Sequence, residues 1–454
     1  MTSIPRLCQQ LETLFCREAI QLAKQAGLRD RQWNGASLAR LLVFGWLAHP
    51  HAGLSQLVTV ARSMGVRTSK QALDAHFTER TATFLLSLLQ QAVRLVVCGP
   101  VVTLPLLQRF RAVYIEDGST IALPATLASI WRGCGGNREG KQGAQYQGTP
   151  RASEHPKTEA GLKLTVRWDL LRGSLHGPHL QAGRQHELRS VLREERMEAG
   201  SLWIADVGYF ALVFLAQLAR QGVFFLQRYK DSFLLWKGQQ QVDVLDLLPG
   251  MEEELVEVQV ACGASKQVKA RLLAQRVPQE VTEQRRAHLK EQARRQQKPV
   301  SERAWTLCQW TILLTNVPAA QLSVREAMAL IRARWQIELL FKLWKDQGLV
   351  DEWSSQKPWQ VLCEVYAKLL GMVVQHWLLI QGCWDDPHRS LLQAAAVIRE
   401  HSPLLREALG GQFSVRRVVR AIVHALQMGC SIPARSTRPS TSRLLEGEPF
   451  WGLT

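Results

Sequence analysis

The chain has 454 residues, enough to bury a sizeable core and to hold two to four structural units at roughly 100 to 200 residues each, which excludes a small scaffold held together by disulfides. Lysine and arginine number 56 against 39 aspartates and glutamates, a net charge of +17, and this favours a polyanionic partner, nucleic acid ahead of an anionic membrane surface. Nine cysteines are scattered singly from Cys8 to Cys430 without zinc spacing, and Met1-Thr2-Ser3-Ile4-Pro5-Arg6 leads into no apolar signal core, so a reducing cytoplasm is expected.

Residues 1–104 read as helical, with apolar residues at helical spacing in Leu11 to Leu22 and Leu38 to Leu47. Within them, Leu54 to Met64, Gly65, and Thr68-Ser69 ahead of Ala72, Leu73 and Phe77 outline a helix-turn-helix with Lys70 and Gln71 at the start of its second helix. Plain helical packing gives the same outline. Residues 105–229 change to short strands and helices. Ala112 to Glu116 is a β-rich run ending at Asp117-Gly118, and Leu162 to Asp169 alternates with period two. A helix is expected over Gln185 to Met197, a strand over Leu202 to Ala205 ending at Asp206, a helix near Tyr209 to Gln221, and a strand over Val223 to Gln227.

Residues 230–318 have another texture, with strand-like Glu254 to Val260 and Val268 to Leu273, a charged segment from Glu280 to Lys298, and the apolar strand Trp310 to Thr315. They read as a β-rich insertion into the α/β unit. Residues 319–385 are helical through Arg325 to Lys345 and Val361 to Ile380, and 386–454 more weakly so, ending in a Ser, Thr, Pro and Arg-rich tail from Ser431 to Arg443 that is expected to be loosely ordered. The most apolar run, Tyr366 to Trp384, is interrupted by Lys368, Gln375, His376 and Gln381, which suits a buried helix better than a bilayer span.

Asp117 and Asp206 each end an apolar run, where a sheet exposes side chains to a crevice. Each has a plain alternative: Asp117-Gly118 is also a turn signal, and Asp206 also a helix cap. Ile331, Arg334, Glu338 and Lys345 are offset by three, seven and fourteen and share one helix face. Trp335, Leu339 and Lys342 flank that line and are expected to touch a core. Arg334 to Glu338 and Glu338 to Lys342 at i,i+4 also describe an ordinary ladder of ion pairs.

The run Ile331-Arg332-Ala333-Arg334-Trp335-Gln336-Ile337-Glu338-Leu339-Leu340-Phe341-Lys342-Leu343-Trp344-Lys345 resembles the Y-x2-R-x3-E-x6-K signature of the insertion-sequence DDE transposases, in the insertion-sequence-4-like branch with a β domain inserted before the glutamate. Ile331 departs from it at the tyrosine. Asp117-Gly118-Ser119-Thr120, Asp206-Val207-Gly208-Tyr209-Phe210, and the hairpin from Gly161-Leu162-Lys163 to Gly173 agree in order and spacing, so the resemblance covers about 105 to 385.

The resemblance implies an α/β fold: an RNase H-like catalytic core interrupted by a β-rich insertion, with helical N-terminal and C-terminal regions. It implies that Asp117, Asp206 and Glu338 are catalytic and bind two Mg2+ ions, with Mn2+ as a substitute. Hard oxygen ligands suit that metal, and paired ions serve phosphodiester chemistry by stabilising both the attacking and the leaving oxygen. Arg334 and Lys345 would hold phosphates, Arg228 would grip the DNA end, and Trp310 would stack on a flipped base. Arg228 also reads as an ordinary strand-end charge and Trp310 as core. Arg285, Arg286, Lys290, Arg294, Arg295 and Lys298 could track DNA, but interspersed glutamates favour a solvated helix.

The implied activity is cut-and-paste transposition by a homodimer on DNA, with inverted-repeat ends and target DNA as double-stranded partners, bound in part by the N-terminal region. The alternatives are an RNase H-like nuclease without strand transfer and a non-catalytic DNA-binding descendant.

Overall fold

The structure, a computed structural model, describes residues 1–135, 159–248, 254–431, 443 and 445–446. Most of the expected loose tail therefore lies outside the described residues. Ser3 caps α1 (Ile4–Glu12), which runs through a π turn (Thr13–Glu18) into α2 (Ala19–Gln25). An Asn34–Ser37 capping box opens α3 (Gly35–Ala48), a helix buried on almost every side. Then come α4 (Leu54–Ser63), α5 (Lys70–Asp74), α6 (Glu79–Val93) and the short α7 (Pro105–Gln108). Ser69 caps α5 as the helix-turn-helix reading expects, but α5 has only five residues, and Lys357 pairs with Asp74 at its end. A recognition helix of ordinary length is not formed there.

The sheet begins with β1 (Val113–Leu123), β2 (Ala160–Asp169) and β3 (Leu175–Ala182), antiparallel neighbours, and continues with β4 (Leu202–Ala205), parallel to β1. Helix α8 (Leu212–Arg220) leads to β5 (Phe224–Arg228), parallel to β4. The order β3-β2-β1-β4-β5 with this mixture of directions is the RNase H-like arrangement.

Strands β6 (Leu235–Lys237), β7 (Gln240–Val242), β8 (Leu255–Cys262) and β9 (Val268–Arg276) follow, then α9 (Gln279–Gln296), α10 (Glu302–Leu307) and β10 (Trp310–Thr315). The inserted strands do not form a separate sheet. β10 pairs antiparallel with both β5 and β9, so the ladder runs on through β10-β9-β8-β6-β7 as one ten-stranded sheet. The charged segment forms α9, which makes the insertion helical as well as β-rich.

Two sequence expectations fail here for local reasons. No helix forms over Gln185 to Met197; only the 3-10 turns Glu187–Arg189 and Val191–Arg193 do. The His186 ring and the Ser190 hydroxyl accept the Leu188 and Leu192 amides, and such side-chain bonds compete with helix propagation. The expected helix Arg325 to Lys345 is α11 (Val324–Leu330), a 3-10 turn (Ile331–Arg334) and α12 (Trp335–Asp346). The 3-10 turn packs against β1 and β4, where it delivers Arg334 to the sheet.

Helices α13 (Pro358–Cys383), α14 (Leu391–Leu409) and α15 (Val415–Gly429) complete the fold. By length and composition α13 could cross a membrane, yet its most apolar stretch is wholly buried. Its charges are internally paired, Lys368 Nζ lying 2.8 Å from Glu364. Helix α13 packs against α3, α6, α14 and α15, which joins the N-terminal and C-terminal helices in one core.

The sheet separates two apolar clusters. On β4, Leu202 and Ile204 join the larger cluster with the terminal helices, whereas Trp203 and Ala205 join a second with Phe214, Phe225 and Leu272. This alternation assigns each strand residue to a face. All nine cysteines are free thiols, as the scattered spacing led us to expect.

Candidate active site

Pairing between β1 and β4 ends at Glu116 opposite Ala205. The next residues on these adjacent parallel strands are Asp117 and Asp206. Alternation puts both on the face of Ile115 and Ile204, the face covered by α12 and the 3-10 turn before it. β1 does not stop at Asp117 as the sequence suggests. It runs on to Leu123, with Asp117 opposite Val166 and Gly118 opposite Thr165. Asp117-Gly118 is therefore not a turn. Glycine leaves room here, since a Cβ would come within 3.1 Å of the Tyr209 hydroxyl and 3.2 Å of the Leu164 carbonyl, contacts tighter than most. Asp206 precedes the 3-10 turn Val207–Tyr209, but its side chain makes no capping hydrogen bond and is exposed.

Glu338 lies in the first turn of α12. Arg334 joins it to the sheet: its Nη2 is 2.6 Å from Glu338 Oε1 and its Nη1 donates to Asp117 Oδ2 at 3.4 Å. The ion pair at i,i+4 therefore exists, but it extends to a carboxylate 217 residues away in sequence, which a surface ladder does not predict. Burial pushes the Asp117 carboxyl up to about 7; the Gly118 amide and Arg334 oppose the rise, and Asp206 and Glu338 add to it. Asp117, Asp206, Glu338 and Arg334 thus share one field.

Arg228 ends β5 on the same face, and its pKa is lowered by burial and then by Arg334, against the pull of Asp206 and Glu338. Lys345 is anchored beside β1, donating to the Thr120 carbonyl at 3.3 Å with Asp351 at 3.9 Å. Ile331, at the signature tyrosine position, is buried in the larger cluster. Trp310 is not brought to the carboxylates. It belongs to the second cluster, on the other face of the sheet, with 6% of its surface exposed and the Arg276 guanidinium 5.7 Å from its ring centre.

Three side chains beside the site were not singled out for a role in the sequence. Trp335 and Leu339 were expected to touch a core, but both face outward, Trp335 with 47% exposure directly after Arg334. The 3-10 turn explains this, because it rotates α12 relative to a continuous helix. Tyr209 is buried, and its hydroxyl, adjacent to Gly118, has no hydrogen-bond partner among the described residues. Burial raises its pKa well above the ordinary value, with Asp117 the next cause. The only signal in sequence is its place three residues after Asp206.

If the Tyr209 hydroxyl serves the site by reaching Asp117 when substrate and metal are bound, Tyr209→Phe should lower the cleavage rate while leaving the melting temperature unchanged or raised. An unsatisfied buried hydroxyl costs about 1 to 3 kcal/mol in the free protein. Unchanged cleavage by a stabilised variant would make the hydroxyl a packing feature.

Among the described residues no three carboxylate, histidine or cysteine side chains stand as a ready-made metal cage. The space between Asp117 and Glu338 is filled by the Arg334 guanidinium, a cation already held by two of the carboxylates. The donor set still fits a hard divalent ion, since it consists of carboxylate oxygens whose mutual repulsion a cation relieves.

An RNase H-like sheet that carries acidic residues on two adjacent parallel strands, with a third on the helix packed across them, defines a nucleic-acid-processing enzyme of the phosphodiester-cleaving class. The chain belongs to the Transposase DDE domain family, which it matches over residues 109–373, more than half of its length. It is 23% identical to the transposase for insertion sequence element IS231F of Bacillus thuringiensis subsp. israelensis, over 88% of this chain and 85% of the relative. It is 24% identical to the transposase for IS231B of B. thuringiensis subsp. berliner, over 89% and 86%, and 21% identical to that for IS1151 of Clostridium perfringens, over 78% and 76%. The chain is a DNA-cleaving and strand-transferring enzyme of a family that uses divalent metal ions.

Proposed function

We propose that this transposase binds the inverted-repeat ends of its own element, cleaves them with two divalent metal ions held by Asp117, Asp206 and Glu338, and joins the freed ends to target DNA. The observation that supports this reading is that Arg334 bridges Asp117 and Glu338 from distant segments on the sheet face where Asp206 follows β4 and acts electrostatically on Asp117.

Metal ions bound there supply a polarised water or 3′ hydroxyl and neutralise charge on the leaving oxygen. Asp117 and Asp206 supply fixed oxygen ligands from the rigid sheet, and Glu338 supplies one from α12. Arg334, which here bridges Asp117 and Glu338, would hold the scissile phosphate, for which its planar fork is suited. Arg228 borders the same face and holds the DNA end on the β5 side. Lys345 offers an ammonium near Thr120 to a phosphate on the β1 side. Trp335, exposed beside Arg334, offers a ring on which an unpaired base can stack. The functional unit is a homodimer on double-stranded DNA, so that two ends are processed together, and the protein works at the bacterial nucleoid.

The test is a cleavage and joining assay with Mg2+ on a duplex carrying the inverted repeat that flanks the coding sequence, with a supercoiled plasmid as target. Cuts at the repeat boundary followed by joining support the reading. Cutting without joining would indicate a nuclease, and binding without cutting a DNA-binding descendant.

A further inference from the structure

Helix α15 breaks a local rule that other helices of the chain keep. Ser323 opens α11 in a capping box with Glu326, and Asn34 opens α3 in one with Ser37. The Ser414 hydroxyl caps α15 by accepting the Arg417 amide, but the residue at the capping-box position is Arg417 itself, with Arg416 before it and no acid in the first turn. Two cations therefore stand at the positive end of the helix dipole, where a carboxylate would stabilise. Arg416 and Arg420, at i,i+4, repel each other as well. The whole of α15 contains no aspartate or glutamate, whereas α9, the other basic helix, interleaves Glu280, Glu283 and Glu291 with its cations.

These charges gather on one face. Val415, Val418, Val419, Ile422, Val423 and Leu426 are buried, in a helix that packs on α1, α13 and α14. Arg416, Arg417, Arg420 and His424 are left exposed together on the other side. Among the described residues none of the three arginine side chains makes an ion pair or a hydrogen bond. Glu12 of α1 acts on the Cys8 thiol together with Arg416 and Arg420, yet pairs with neither.

We infer that the exposed face of α15 is a second DNA-holding surface, on which Arg416, Arg417 and Arg420 grip backbone phosphates of a duplex without reading its sequence. The inference rests on the reading of the protein as one that cleaves and joins DNA, and adds a contact on elements other than those that carry Asp117, Asp206 and Glu338. Guanidinium forks match phosphate oxygens, and phosphate contacts position a duplex while carrying no base information. The apolar side of α15 is already buried in the core, so the helix has no face to insert into a membrane. Nor does the surface suit a second copy of itself, since a two-fold contact would set the same arginines against each other. Like charges placed against a helix dipole without compensation forgo stability, and such departures are expected where function requires them.

The experiment pairs thermal melting with binding of the full chain to a scrambled duplex that lacks the inverted repeat, between about 50 and 200 mM salt, where each phosphate neutralised contributes about 0.9 to the slope of log affinity against log salt. Arg417→Glu completes the capping box and removes a cation from the positive helix end, so its melting temperature is expected to hold or rise. Its binding should weaken several-fold, with the slope reduced by about 0.9. Arg420→Gln should reduce the slope by a similar amount, and Arg420→Lys should keep it. An unaltered slope in either Arg417→Glu or Arg420→Gln, with or without a change in oligomeric state, overturns the surface, as does weaker binding that appears only alongside a lower melting temperature. Cleavage of the element's ends, measured beside joining to a supercoiled plasmid, identifies the duplex: joining lost with cleavage kept places the target on α15, and parallel loss places the DNA flanking the cut end there. Failure of the underlying site reading appears separately, as cleavage retained by Glu338→Gln, and leaves the salt slopes untouched.

Discussion

Asp117→Asn, Asp206→Asn and Glu338→Gln are each expected to cut metal-dependent cleavage of the element's ends by about a thousandfold or more, with end binding and folding nearly unchanged. Bound metal supplies several kcal/mol at the transition state, and about 1.4 kcal/mol is a tenfold change in rate. The amides keep the shape and lose the charge. Little stability is at stake. Asp117 carries a charge that burial already disfavours, Asp206 caps nothing with its side chain, and the Arg334–Glu338 pair, with the glutamate 32% exposed, is of the kind that contributes about 0 to 1 kcal/mol. The measurement is a single-turnover cleavage assay beside a gel-shift and a melting curve for each variant. Full activity in any variant removes that residue from the site, and parallel loss of binding, cleavage and stability would indicate a structural role.

Trp310→Ala should destabilise the protein by about 3 to 5 kcal/mol, the usual cost of truncating a large buried aromatic. Its ring packs in the second cluster on the sheet face opposite the carboxylates, and base stacking from there would require it to leave that cluster. Binding, nicking and any hairpin processing should then fall together with the melting temperature. Trp335→Ala should behave differently. Its ring is exposed, so stability should shift by no more than about 0.5 kcal/mol, while processing of an unpaired base should weaken by the roughly 1 to 3 kcal/mol that aromatic stacking contributes. Thermal melting paired with nicking of intact ends and resolution of preformed hairpins separates the two. A stable Trp310→Ala protein that nicks but leaves hairpins unresolved would return the stacking role to Trp310.

Much of the core was legible because its signals are local. Leu202 to Ala205 followed by Asp206 ends where the apolar run ends, and the period-two pattern of Leu162 to Asp169 marks a strand, although the pattern reads as half-buried and the strand is buried on both faces. The rest depends on contacts that local pattern does not encode. Asp117-Gly118 reads as a turn in sequence, but β1 passes through it, and the glycine lies close to the Tyr209 hydroxyl across the fold. The 3-10 turn at Ile331–Arg334 is set by its packing on β1 and β4, so the outward rotation of Trp335 had no sequence counterpart. Continuity of the insertion with the core sheet rests on the β5–β10 pairing, between strands some 80 residues apart, and no period in either strand names its partner.

The central claim is that Asp117, Asp206 and Glu338 hold the metal ions that cut DNA. Its most direct test is anomalous diffraction from crystals of the protein bound to its inverted-repeat end and soaked with Mn2+. The account predicts two ions roughly 4 Å apart, ligated by oxygens of these three side chains, with Arg334 turned away from Asp117 and onto a phosphate. Ions bound elsewhere, or an Arg334 still bridging Asp117 and Glu338 in a complex competent to cleave, would contradict it.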